Sequence, residues 1–334
     1  MDADIEGVPQ EVSTGSLPAG DRVQRSVDEA HARYRDRDEG EVIDSIPELA
    51  EADPALFGLA VAPTGGDVHA AGDADVQFTI QSISKAFVYA LVCEAHGHDE
   101  VLERVGVDNT GYPFDSVVTL ELNDGHPKNP MVNAGALATT ALVPGDGAAE
   151  RWEHVRTGLS AFAGRRLEMD DAVHRSESAV NQRTRAIAQL LESYGRITTD
   201  PLDVVDVYTR QCALLVSARD LAVMGATLAN GGVNPLTGER TVSPHVCRDV
   251  LSVLAVTGMY EKSGDWLFGI GMPAKSGISG GIVAVAPGKG ALGAYSPQLD
   301  SAGNSVRGQL AAAYLSRTLG LNVFASSAAG GPRG

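Results

Sequence analysis

FTIQSISKAFVYALVCE occupies residues 78–94. It reads as the end of an extended segment running into a helix. Thr79, Gln81, Ser82 and Ser84 supply a polar start, and residues 86–93 are apolar on every side. A helix that is apolar all round is a buried one. Its first turn holds Ser82-x-x-Lys85, and residues three apart on a helix share a face. The Ser82 hydroxyl and the Lys85 amine can therefore meet. A serine hydroxyl is a poor nucleophile until something takes its proton. A lysine does that once burial lowers its pKa from about 10.4 toward neutrality.

Taken alone, Ser-x-x-Lys also describes a helix-capping serine beside an exposed lysine. Composition favours chemistry. Of 26 basic residues only Lys85, Lys128, Lys262, Lys275 and Lys289 are lysine; the rest are arginine. Arginine stays charged in a protein, whereas lysine can lose its proton. Lys85 at a buried helix start and Lys275 in Ala-Lys-Ser-Gly are thus lysines with a chemical reason to be lysine.

The 334 residues suit one large domain or two entwined ones. An apolar content of 43% marks a soluble globular chain. No apolar run reaches the ~18 residues of a membrane span, and the start MDADIEGVPQEV is unlike a signal peptide. Cys93, Cys212 and Cys247 read as isolated thiols of a reducing cytoplasm. The net charge of −17 argues against nucleic acid and anionic membranes as partners. The histidines form no H-x-x-x-H or Cys/His cluster, so no metal is expected. One G-x-G-x-x-G occurs, Gly288 to Gly293, but it opens a strand-like run rather than a helix. It is read as a glycine-rich turn, and no cofactor is expected.

Residues 1–20 read as a mobile leader and 21–40 as a surface helix with Val23, Val27, Ala30 and Tyr34 as its apolar stripe. Two strand-like runs, 57–62 and 68–71, flank Pro-Thr-Gly-Gly-Asp and form a hairpin. From about 92 to 230 the pattern is mainly helical, with helices expected over 148–163, 179–192, 201–212 and 217–229. A segment over 243–256 has proline in its first turn. Residues 266–272, 277–285 and 290–295 are Gly-punctuated β-rich runs, 304–319 a final helix, and 325–334 a disordered tail. Strands at both ends with helices between predict an α/β (α+β) layer built from 21–80 and 231–324. A helical subdomain over 81–230 is inserted, with a cleft at the seam.

Ser-x-x-Lys on a helix with Lys-Ser-Gly on a late strand is the pattern of the serine β-lactamase and penicillin-binding fold. The surrounding text more closely resembles the bacterial and mitochondrial glutaminases, which hydrolyse L-glutamine to L-glutamate and ammonia. The matching segments are 78–85 (FTIQSISK), 129–136 (NPMVNAGA), 175–177 (RSE), 208–213 (YTRQCA), 257–264 (TGMYEKSG), 273–282 (PAKSGISGGI) and 296–308 (SPQLDSAGNSVRG). They follow the family order over roughly residues 40–320.

The resemblance implies a β-lactamase-like fold: an antiparallel sheet flanked by helices, plus the helical insertion. It implies Ser82 as nucleophile, Lys85 as its proton acceptor, Tyr260 beside the serine, and Tyr208 protonating the leaving ammonia. The N–H groups of Ser82 and Ile278 would form the oxyanion hole. Asn133 and Glu177 would hold the α-amino and α-carboxylate end, and Lys275 would add positive charge. A homo-oligomer, dimer or tetramer, is implied as well. The residue types suit the task, because amide hydrolysis needs a nucleophile, an oxyanion hole and a proton for the leaving nitrogen.

The chain departs from the family pattern at two substrate contacts. Ser45 stands in Asp-Ser-Ile-Pro where the family carries tyrosine, and Thr184 stands in Arg-Thr-Arg where it carries asparagine. A lost contact costs about 1–3 kcal/mol if its partner stays unsatisfied. Asn181 lies one turn after Glu177 and one before Thr184, so Asn181 or Thr184 is expected to replace the missing asparagine. These departures leave two rival readings: a serine amidohydrolase of altered preference, and a non-catalytic amino-acid binder of the same fold.

Overall fold

In the computed structural model, residues 8–9 and 15–326 are described. Most of the expected leader start and the tail end therefore lie outside the described residues. Five strands form the main sheet: β1 (Gly58–Pro63), β2 (His69–Gly72), β3 (Ala274–Ser276), β4 (Gly281–Ala286) and β5 (Gly290–Tyr295). Their order is β2-β1-β5-β4-β3, every neighbour antiparallel. The early hairpin and the three late strands meet where β1 pairs with β5, Leu59 opposite Ala294. The sheet is thus built from both ends of the chain.

The main helices are α1 (Gly20–Tyr34), α2 (Pro47–Ala50), α3 (Ser84–His96), α4 (Asn133–Ala141), α5 (Ala148–Ala163), α6 (Asp171–Val180), α7 (Gln182–Ser193), α8 (Pro201–Cys212), α9 (Ala218–Ala229), α10 (Pro244–Thr257), α11 (Ser263–Gly269) and α12 (Val306–Thr318). Both sheet faces are covered, so the strands are apolar on both sides. Leu59, Val61, Ile282, Ala284 and Leu292 join a core with α1 and α12. Ala60, Val283, Val285 and Ala291 turn the other way, into a core shared with α3, α5, α9 and α10. Helix α9 lies close on the sheet. A Cβ on Gly293 would sit 1.9 Å from the Ala218 carbonyl oxygen. Ser217 caps α9 with a reciprocal Ser217–Asp220 capping box.

Two local expectations change. Residues 266–272 read as strand, but 263–269 are α11. A continuous apolar run does not distinguish the two by period. Here the Trp266 indole N–H donates to the Met272 carbonyl at 2.8 Å and folds the run back on itself. The single helix expected over 179–192 is the end of α6 and all of α7, broken at Asn181, whose ψ of 31° leaves the helical range. Among the described residues no helix is long and apolar enough to cross a membrane.

Candidate active site

The short strand Phe78–Thr79 pairs with Leu215–Val216, and the Ile80 N–H donates to the Leu214 carbonyl at 2.8 Å. This anchor delivers the chain into a 3-10 turn, Gln81–Ile83, that runs directly into α3. Gln81 has φ of +50°, in the left-handed region. Such a conformation costs a non-glycine residue on the order of 1–3 kcal/mol and persists only where its surroundings impose it. From residue 78 to 93 every side chain is buried except Ser82, which is half-buried. The tight turn leaves one hydroxyl half-buried in an otherwise buried helix start.

Lys85, in the first turn of α3, is 1% exposed. Its amine donates to Asn133 Oδ1 at 2.8 Å and to the Met131 carbonyl at 3.4 Å. Burial pulls its pKa down to about 8, against the raising influence of Cys212, Glu177 and Asp115. The Ser82 hydroxyl lies beside Tyr260 and acts on its phenol in the sense opposite to burial. Tyr260 is itself strained, with φ of +52°. Its hydroxyl donates to the Ser276 carbonyl at 3.3 Å, and burial raises its pKa, so it rests as the neutral phenol. Lys275 is fully buried on β3, with its amine 4.4 Å from the Tyr260 ring centre and 2.7 Å from the Ser276 carbonyl. Burial first, then the charge of Lys85, holds it toward the neutral form. This opposes the positive charge expected of Lys275.

Helix α8 brings in Tyr208, whose hydroxyl donates to Asn133 Oδ1 at 3.4 Å. Asn133 Oδ1 therefore accepts from both Lys85 and Tyr208 at the start of α4, and no hydrogen bond from its Nδ2 is made among the described residues. Glu177 on α6 sits across from them. Burial raises its pKa to about 7, opposed by Gln81 and the Lys85 charge, and its buried Oε2 has no partner among the described residues. Asn181 Nδ2 donates to Thr209 Oγ1 at 3.3 Å, while its buried Oδ1 has no partner among the described residues. Thr184 is half-buried and makes no side-chain hydrogen bond among the described residues.

Ile278 lies in the turn between β3 and β4, and this turn packs on residues 80–83: a Cβ on Gly277 would sit 2.9 Å from the Ile80 carbonyl oxygen. No carbonyl within the described chain takes the Ile278 N–H. The Ile278 side chain joins Ile46, Leu49, Val173 and Ala213 in a small apolar cluster that ties α2 to the site, while Ser45, just before it, is exposed. Among the described residues no group of three His, Cys, Asp or Glu side chains is placed to hold a metal ion.

A chain of contacts thus links Lys85, Asn133 and Tyr208 and Lys275 and Tyr260, with Glu177 acting electrostatically on Lys85 and the turn that carries Ile278 packed on residues 80–83. Four participants escaped the sequence reading. Gln81, Thr209 and Cys212 lie within recognised segments, where their neighbours drew the attention. Phe114, whose ring centre is 5.1 Å from that of Tyr260 and 5.8 Å from the Lys85 amine, lies in a loop without any periodic signal. The assembled groups are those of acyl transfer: a hydroxyl, a buried amine able to be neutral, phenols to move protons, and a free backbone donor.

A family model described as Glutaminase matches residues 40–324. Glutaminase 2 of Yersinia pestis is 52% identical over 320 residues, covering 96% of this chain and 94% of that one. The solved structure of a probable glutaminase, ybaS, superposes with a TM-score of 0.91 at 42% identity over 92% of this chain and 99% of its own. That of Mglu in its glutamate form gives 0.85 at 42% identity, over 93% of this chain and 71% of its own.

Proposed function

The chain belongs to the glutaminase family, and from that premise we propose that it hydrolyses L-glutamine to L-glutamate and ammonia through an acyl-enzyme on Ser82. The observation that carries the mechanism is the lone half-buried hydroxyl of Ser82, beside Tyr260 and one turn from a buried lysine whose pKa is pulled down to about 8. Lys85 in its neutral form takes the Ser82 proton as Oγ bonds to the side-chain amide carbon. The oxyanion that forms is met by the Ser82 and Ile278 N–H groups. As the carbon–nitrogen bond breaks, the proton carried by Lys85 passes to the leaving nitrogen by way of Tyr208, and ammonia departs. Water then attacks the ester and loses its proton to the same amine; as the bond between the acyl carbon and Ser82 Oγ breaks, that proton passes from Lys85 to Oγ, and L-glutamate is released.

At the other end of the substrate, Asn133 Nδ2 donates to the α-carboxylate and Glu177 accepts from the α-ammonium. The Glu177 contact uses a buried oxygen, Oε2, that has no partner among the described residues. Exposed Ser45 and half-buried Thr184 are then tolerated variations. We also assign the protein to the cytoplasm as a homo-oligomer, dimer or tetramer. The oligomer rests on family resemblance; the compartment is supported by three buried cysteines, all free thiols. Acid-quenching the enzyme during turnover of L-glutamine and mapping its peptides by mass tests the mechanism. A glutamyl ester on the Ser82 peptide is expected; the same ester on another residue would require a different nucleophile.

A further inference from the structure

Among the described residues, two buried oxygens stand without donors four positions apart in sequence, Glu177 Oε2 and Asn181 Oδ1. Buried polar atoms are nearly always satisfied, so a pair of neighbouring orphans points to a ligand that supplies hydrogens. The orientation of the Asn181 amide follows from accounting. The Thr209 hydroxyl donates its one hydrogen to the Val205 carbonyl at 2.8 Å. It can only accept from Asn181, so the amide must turn its NH2 toward Thr209 and its oxygen away. The site thereby presents a carboxylate oxygen and an amide oxygen, two acceptors of which only one is charged.

We propose that Asn181 Oδ1 is a second acceptor for the substrate's α-ammonium beside Glu177, and that Thr209 is the positioning residue that fixes it. This rests on the glutaminase reading and assigns the atoms that make it selective for a free α-amino group. An ammonium carries three hydrogens on one atom and can serve both oxygens at once. A neutral acceptor suits this position, because a second carboxylate would push the Glu177 pKa up further and empty the site of its charge. Asn181 sits at the break between α6 and α7, which lets its side chain leave the helical path and reach Thr209 on α8. On this account Asn181 reads the ammonium rather than the carboxylate, and Thr184 has no part in it.

Steady-state kinetics with L-glutamine and with glutaramate, which is glutamine without its α-amino group, test the proposal. The proteins are the wild type, Asn181→Ala, Thr209→Val and Thr209→Ser. A second arm measures calorimetric binding of L-glutamine to Ser82→Ala with and without Asn181→Ala. Asn181→Ala is expected to raise KM for L-glutamine about tenfold to a hundredfold with kcat nearly unchanged, and to leave kcat/KM for glutaramate where it was. Thr209→Val should give a smaller loss of the same kind, which Thr209→Ser restores; that pair carries the test if Asn181→Ala does not fold. Equal losses on both substrates, or no loss on L-glutamine, would overturn the proposal. Should the wild type release no ammonia, the catalytic reading fails by itself, and the binding arm still decides. Affinity lost with Asn181 upholds the assignment, whereas binding that is absent or insensitive to Asn181 overturns it.

Discussion

The site works through two groups displaced from their ordinary pKa in opposite directions. Lys85 falls to about 8 and Glu177 rises to about 7, each chiefly because burial penalises its charged form. The base is available only when Lys85 is neutral, above about 8. The ammonium contact exists only when Glu177 is ionised, above about 7. Both requirements fail on the acid side, so kcat/KM for L-glutamine should climb with pH. Its logarithm rises with a slope near 2 below about 7 and near 1 between about 7 and 8, then levels. In kcat the Glu177 limb should shrink, because bound ammonium favours its charge. A profile that is flat from pH 6 to 9 would show that Lys85 is not the base. Ser82 and Lys85 were legible in the sequence because serine and lysine stood three apart before an apolar helix in a chain poor in lysine. Tyr260 beside the serine followed only from the family resemblance, because the left-handed backbone at Gln81 and Tyr260 is imposed by tertiary packing and announced by no residue type.

Among the elements, α9 and the sheet define how closely the parts fit. Gly293 on β5 faces the start of α9, where an added Cβ would lie 1.9 Å from a backbone oxygen that cannot swing aside. Gly293→Ala should therefore destabilise the fold by at least about 1–3 kcal/mol. A lowered urea midpoint at unchanged m-value would report that loss; an unchanged midpoint would mean that α9 moves away freely. The strands and long helices were readable because alternation and caps mark them: α5 and α8 run over their expected residues, and the fold is the β-lactamase-like one anticipated. Misreadings fell where local pattern is silent. Residues 263–269 are helical, and the Trp266 indole closes the segment on the Met272 carbonyl six residues on. The break at Asn181 carries neither Gly nor Pro, and the asparagine there engages Thr209 on another helix.

At the scale of the whole molecule, the division into a sheet unit and a helical unit remains our proposal. Helix α3 and helix α9 pack into one continuous core with the sheet strands, so the site's two sides are held by shared burial rather than by a linker. A net charge of −17 is spread over this frame. Self-repulsion of that size weakens the compact state, and salt shortens its reach from about 10 Å at 0.1 M to about 3 Å at 1 M. The melting temperature should rise as KCl is raised between those concentrations; a fall would mean that surface ion pairs outweigh the net charge. Ammonia release from L-glutamine by the wild type and by Ser82→Ala tests the central claim most directly. The account predicts steady release by the wild type and a loss of at least about a thousandfold in kcat for Ser82→Ala, with the melting temperature preserved. Release that survives in Ser82→Ala would contradict it, because no acyl-enzyme could then form on that hydroxyl.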